Sequence, residues 1–115
     1  MDDNSAILEC QAQGIYCITM YIDKSDVAPE TVLTSVVFDW SKPLKGSIEA
    51  VAKGTMEEYR KENYFRPVQL EDNSLYLGKY APSVPKSVKD EVKKVQQQIL
   101  NGAIEVPLVT DEIIK

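Results

Sequence analysis

The run I-Y-C-I-T-M-Y-I, residues 15–22, constrains the fold of this chain more than any other feature. It is too short for a buried helix and rich in β-branched and aromatic residues, so it reads as a strand. Nearly every position in it is apolar. A strand of that kind is expected to be buried on both faces, as in a parallel sheet covered by helices. The nine residues before Gly14 predict a helix from Ser5 to Gln13, with Asp3, Asn4 or Ser5 as cap and Gly14 just past its end. Ile7, Leu8 and Cys10 would form its apolar face. Helix, glycine and apolar strand make half of a β-α-β unit.

The next strand is V-L-T-S-V-V-F, residues 32–38, reached through the loop D-K-S-D-V-A-P-E. That loop starts at the carboxyl end of the first strand, where open α/β sheets bind ligands. Thr34 and Ser35 interrupt an otherwise apolar run. After Trp40, Ser41 or Asp39 is placed to cap a helix beginning near Pro43, with Leu44, Ile48, Val51 and Ala52 at helical spacing and Gly54 near its end. M-E-E-Y-R-K-E-N, residues 56–63, reads as an exposed connection. Residues 64–70 and 74–80 flank E-D-N and are expected to pair as a hairpin, with Pro67 marking an irregular first strand. The last helix lies within residues 84–102, started by Pro85 and ended by Asn101 and Gly102. Val88, Val92, Val95 and Ile99 make one apolar stripe on it. Lys89, Asp90, Glu91, Lys93 and Lys94 form a solvated face. Residues 104–109 read as extended.

Composition excludes several function classes. The chain has 115 residues, enough for one core, and its 43% hydrophobic and 27% charged residues are those of a globular protein. A net charge of −5 argues against nucleic acid as a partner. No histidine is present, which removes the commonest general base and metal ligand and makes a Ser-His-Asp triad impossible. Cys10 and Cys17 lack the C-x-x-C spacing of a zinc or redox motif and read as buried free thiols. There is no phosphate-cradling glycine motif, no nucleophile elbow and no metal-ligand cluster. No enzyme, metal or cofactor is implied. The amino terminus has no signal-peptide pattern, and no run reaches the roughly 18 apolar residues of a membrane span, so the chain as given is expected in the cytoplasm.

Two places offer ligand chemistry. Backbone N–H groups at Asp2 to Ser5 either cap the helix or receive a polar ligand. In the loop at Tyr21 to Asp26, a carboxylate could accept bonds from vicinal hydroxyls, with Tyr21, Phe38 and Trp40 as aromatic walls or as plain packing. Asp23 and Asp26 are a carboxylate pair or two solvated loop acids.

Four stretches in order resemble one family. V-P-K-S-V-K-D-E-V-K-K-V-Q-Q-Q-I-L-N-G-A-I-E-V-P, Val84 to Pro107, is similar to the carboxyl-terminal end of the basic membrane protein family. These are substrate-binding lipoproteins of ABC transporters, many of them specific for purine nucleosides. A-P-E-T-V-L-T-S-V-V, G-I-Y-C-I-T-M-Y-I-D-K-S and K-P-L-K-G-S-I-E-A-V-A-K-G-T resemble upstream segments of the same family. The resemblance implies the carboxyl-terminal part of a type I periplasmic-binding fold, a parallel sheet flanked by helices and incomplete here. Residues 1–115 would be a single partial domain, the last third of a two-lobed protein held at the cell surface or in the periplasm. It implies a nucleoside-like solute and an ABC permease as partners. It places a ligand site at Asp3, Asn4, Tyr21, Asp23 and Phe38. Tyr21 stands where the family has an aspartate facing the ribose, and Phe38 where it often has a lysine. The main expectation is therefore a fragment of a solute-binding component of an ABC transporter, and those departures motivate an alternative: a regulatory or protein-interaction module that keeps the binding fold without nucleoside binding. A partial domain is also expected to form homo-oligomers through its exposed sheet edge.

Overall fold

The computed structural model describes residues 4–63 and 68–107. The chain divides into two compact units, Met1–Val84 and Pro85–Lys115. The first begins with helix α1, Ser5–Gln13, closed by Gly14 in the left-handed region at φ 67°. Strand β1 follows at Cys17–Tyr21 and strand β2 at Val32–Phe38. Helix α2 spans Ser41–Lys53 and helix α3 Met56–Glu62, and strand β3 is Leu75–Leu77. The three strands form one sheet in the order β1-β2-β3. β1 and β2 are parallel, with a register shift between Cys17 and Ile18, while β2 and β3 are antiparallel. The α/β class therefore stands, but the sheet is mixed where a parallel one was expected.

β2 is the central strand and the most buried. Ile7 of α1 packs with Ala28 and Val32 in a small core, flanked by Cys17 and Val27. β1 departs from its expected burial. Ile18 is 63% exposed and Met20 57%, and Ile15, Tyr16 and Ile22 are also exposed. The reason is topological: β1 lies at the edge of the sheet, and among the described residues only β2 pairs with it.

α2 is likewise turned otherwise than its apolar stripe suggests. Leu44, Ile48 and Val51 face solvent, and Ala50 is buried. The inward face carries the small residues Pro43, Gly46, Ser47 and Ala50. Against it lies α3, the segment expected to be an exposed connection. The Tyr59 ring sits over Gly46, where a Cβ would come within 2.6 Å of the Tyr59 hydroxyl oxygen. That hydroxyl also donates to the Pro43 carbonyl at 3.4 Å.

The expected hairpin is not formed as read. β3 pairs with β2, and the turn before it is closed by the Ser74 and Leu75 N–H groups, both donating to the Gln69 carbonyl. Residues 64–67 of the proposed first strand lie outside the described residues. Beyond Leu77, Gly78 N–H donates to the Ser35 carbonyl and Ala81 N–H to the Leu33 carbonyl, so the chain continues along β2.

In the second unit, helix α4 spans Lys86–Leu100 with Pro85 at its start and Gly102 at φ 75° beyond its end. Its charged face carries the pairs Lys86–Asp90 and Glu91–Lys94, both solvent-exposed. No described helix is long and apolar enough to cross a membrane.

Candidate functional site

The carboxyl ends of β1 and β2 lie on the same side of the sheet because the strands are parallel. Two neighbouring groups gather there, one aromatic and one polar. Tyr21 ends β1 and Phe38 ends β2. Their rings meet edge to face at a centroid distance of 5.0 Å, and Trp40 continues the array at 6.3 Å from Phe38. Tyr21 and Trp40 are about half exposed. Tyr21 has φ 80°, a conformation that costs a residue with a Cβ roughly 1–2 kcal/mol. Strain of this kind gathers at ligand clamps and contact sites.

The polar group centres on Ser35, which is fully buried in β2. Its hydroxyl oxygen accepts the Lys24 N–H at 3.0 Å and lies 2.7 Å from the Thr19 hydroxyl. At 3.4 Å it also faces Asp23 Oδ1. Thr34 donates to the Gly78 carbonyl at 3.3 Å. The two hydroxyls that interrupt the apolar run are thus structural: they hold the β1 loop and the chain after β3 onto β2. The buried strand position that made Ser35 conspicuous in sequence was the signal for this role.

Asp23 belongs to the same network. Its Oδ1 accepts the Ser25 N–H at 3.0 Å and its Oδ2 the Lys79 N–H at 2.9 Å. The Lys79 backbone N–H, helped by Ser25, holds this carboxyl below the ordinary aspartate range against a smaller opposing effect of burial. Asp26 does not join it as a carboxylate pair. Asp26 lies 3.6 Å from the Lys79 ammonium in a fully solvated ion pair. Gly78 and Lys79 are part of this site and carried no signal in the sequence, since they lie 56 residues from Asp23 in the case of Lys79.

Of the other expected site residues, Asp3 lies outside the described residues. Asn4 sits at the start of α1 but its side chain makes no cap there. Its Oδ1 accepts the Lys24 ammonium at 2.9 Å, tying the helix to the β1 loop. Asp39 does not cap α2 from the N-cap position, which Trp40 occupies. Its Oδ1 accepts both the Ser41 N–H at 3.0 Å and the Ser41 hydroxyl at 2.5 Å. Those bonds, the hydroxyl first, hold the Asp39 carboxyl low. The structure therefore brings Tyr21 and Phe38 together, joins Asn4 to the loop through Lys24, and ties the exposed Asp23 to the Ser25 and Lys79 N–H groups.

A cleft of about 850 Å³ opens beside this region. It runs between α1 and the free edge of β1 and is lined by Ile7, Cys10, Cys17, Ile18, Met20 and Tyr21 among others. Both cysteines are free and half-buried rather than fully buried. Burial, with the neighbouring Cys10 thiol, pushes the Cys17 thiol up. Among the described residues no group of three or more Cys, Asp or Glu is placed to hold a metal ion.

These features define a small α/β protein with an aromatic surface at its strand ends. No family model matches the sequence, and no curated protein matches it. In fold it is similar to a solved structure from Bacillus halodurans described as a transcriptional activator of the comK gene. The TM-score is 0.64 at 17% identity, over 85% of this chain and 33% of that one. The chain thus spans about a third of the length of that solved protein.

That finding corrects the reading by family resemblance. The basic membrane protein family is supported by no match, and the solved structure that the chain resembles is described as a regulator of transcription, not as a transport component. The interpretation as a fragment of an ABC-transporter lipoprotein for nucleosides does not stand. The physical reason the motifs misled is that they are mainly structural. A-P-E-T-V-L-T-S-V-V supplies the buried Ala28, Val32 and Ser35, and V-P-K-S-V-K supplies a helix start. Such patterns report an α/β scaffold, and function is set by the site placed on it.

Proposed function

We propose that the chain is part of a regulatory protein that keeps an α/β binding fold and uses it to contact a protein partner, without binding a nucleoside. The observation that carries this reading is Asp23. Three of the roughly four acceptor positions of its carboxylate are engaged within the fold, Oδ1 by the Ser25 N–H and the Ser35 hydroxyl and Oδ2 by the Lys79 N–H. A vicinal diol of a ribose needs two free acceptor positions facing it. What the strand ends offer instead is the half-exposed array of Tyr21, Phe38 and Trp40. Large aromatic side chains dominate the energetics of protein contacts. The solved structure of similar fold, described as a transcriptional activator, supports a regulatory role.

The finer architecture in this reading is the carboxyl-terminal part of a type I periplasmic-binding fold. It is supported by the parallel β1–β2 pair behind a helix, with the candidate surface at the strand ends. The acidic balance of −5 supports action through protein contact rather than through DNA phosphates. The reading assigns no catalytic step.

A thermal-shift panel of nucleosides, nucleobases and other small solutes tests it. The expected outcome is no saturable rise in melting temperature with any of them. A saturable rise that disappears in Phe38→Ala would overturn the proposal. Affinity capture should return a partner with the wild-type chain and lose it with Trp40→Ala. A partner retained equally by both proteins removes the aromatic array from the contact.

A further inference from the structure

Cys10 and Cys17 come from different elements, α1 and β1, and both line the solvent-open cleft. The left-handed turn at Gly14 reverses the chain between them, and Ile15 N–H donates back to the Cys10 carbonyl at 3.0 Å. The fold thereby sets two free thiols, with six residues between them in the chain, as neighbours on one cleft. Neither is sealed in the core, since each is half-buried. The proposed partner contact uses neither thiol.

We propose that Cys10 and Cys17 form a dithiol site that is oxidised to an intramolecular disulfide by low-molecular-weight disulfides reaching it through the cleft. Cys10 as its thiolate attacks one sulfur of the small disulfide, forming a mixed disulfide and expelling one thiolate. Cys17 then loses its proton and attacks the Cys10 sulfur, expelling the second small thiolate. The two protons from the protein thiols end on the two small thiols. Two electrons pass from the cysteines to the small disulfide, which is reduced. The same two steps with the cysteines exchanged give the same product. The second step is favoured because it is intramolecular, the resolving thiol lying on the same cleft.

Oxidised glutathione is the probe, with intact-mass analysis and peptide mapping of the whole chain. The expected product is a monomer lighter by two hydrogens, with Cys10 linked to Cys17. Cys10→Ser and Cys17→Ser should each stop at a lasting mixed disulfide. At a fixed ratio of reduced to oxidised glutathione, the ratio of intramolecular to mixed disulfide should be about tenfold higher in buffer than in concentrated urea. That comparison separates placement by the fold from mere closeness in sequence. Wild-type protein that retains glutathione adducts, stays reduced, links to a second copy, or shows the same ratio in urea overturns the proposal.

Discussion

Asp23 Oδ2 accepts the Lys79 backbone N–H at 2.9 Å, joining the loop after β1 to the chain after β3 across 56 residues of sequence. Gly78 lies immediately beside this bond. A Cβ at Gly78 would stand 2.7 Å from Asp23 Oδ2 and 2.8 Å from its Cγ. The obstacle is a short carboxylate pinned by Ser25 and Lys79, so it cannot swing aside as a long side chain would. Gly78→Ala is expected to destabilise the fold by about 1–3 kcal/mol. Urea unfolding measures this, and an unchanged midpoint would refute the close approach.

The same carboxylate gives stability a pH dependence. Its folded value is depressed, first by the Lys79 N–H and then by Ser25. The unfolded value is near 3.9. The contribution is therefore complete above the unfolded value and is lost as pH falls through the lower folded one. Asp39 acts in the same direction through Ser41. Because Asp23 is exposed, solvent screens the effect and it is modest. Thermal melts below pH about 5 should fall less steeply for Asp23→Asn than for wild type. Parallel curves would show that the bonds are not formed in solution.

Ser35 and Thr34 differ in what they hold. The Ser35 hydroxyl is wholly buried and satisfies the Lys24 N–H as well as Thr19. Ser35→Ala strands these groups and is expected to cost about 1–3 kcal/mol. Thr34 makes one long bond, to the Gly78 carbonyl at 3.3 Å, and Thr34→Val keeps its shape. Its cost should be about 1 kcal/mol or less. Chemical denaturation of both variants checks the order, which the opposite ranking would contradict.

Among the described residues β1 is an edge strand unpaired on its outer side, and it is apolar, with Ile18 63% exposed. Such an edge pairs readily with another chain, and a lysine placed on it blocks pairing. We expect the wild-type chain to self-associate with rising concentration. Ile18→Lys should be closer to monomeric while its melting temperature barely changes. Light scattering over a concentration series decides this. A wild-type monomer throughout the series would exclude association through β1.

Much of the fold was legible. α1 and β2 occupy the residues that capping, glycine placement and β-branched runs indicate, because these signals are local. α3 was legible too but was read as a connection. Its order of Glu57 and Glu58 first, Arg60 and Lys61 last, complements the helix dipole and is a helix signal in an otherwise polar segment. The site was legible only in part. Tyr21, Phe38 and Trp40 stood out as aromatics at strand ends, whereas nothing local marked Lys79 and Gly78 as the partners of Asp23.

The sequence by itself determined where the main strands and helices lie and which chemistries are unavailable. Hydrophobic period, caps and the lack of histidine act residue by residue. Only the tertiary structure decided the rest. The run from Ile15 to Ile22 is apolar at nearly every position, yet its burial depends on whether a strand pairs beyond β1, which no residue in the run encodes. Asp23 has the chemistry of a ligand acceptor, yet its Oδ2 is taken by the Lys79 N–H, a group that only the folded chain brings within 3 Å of it.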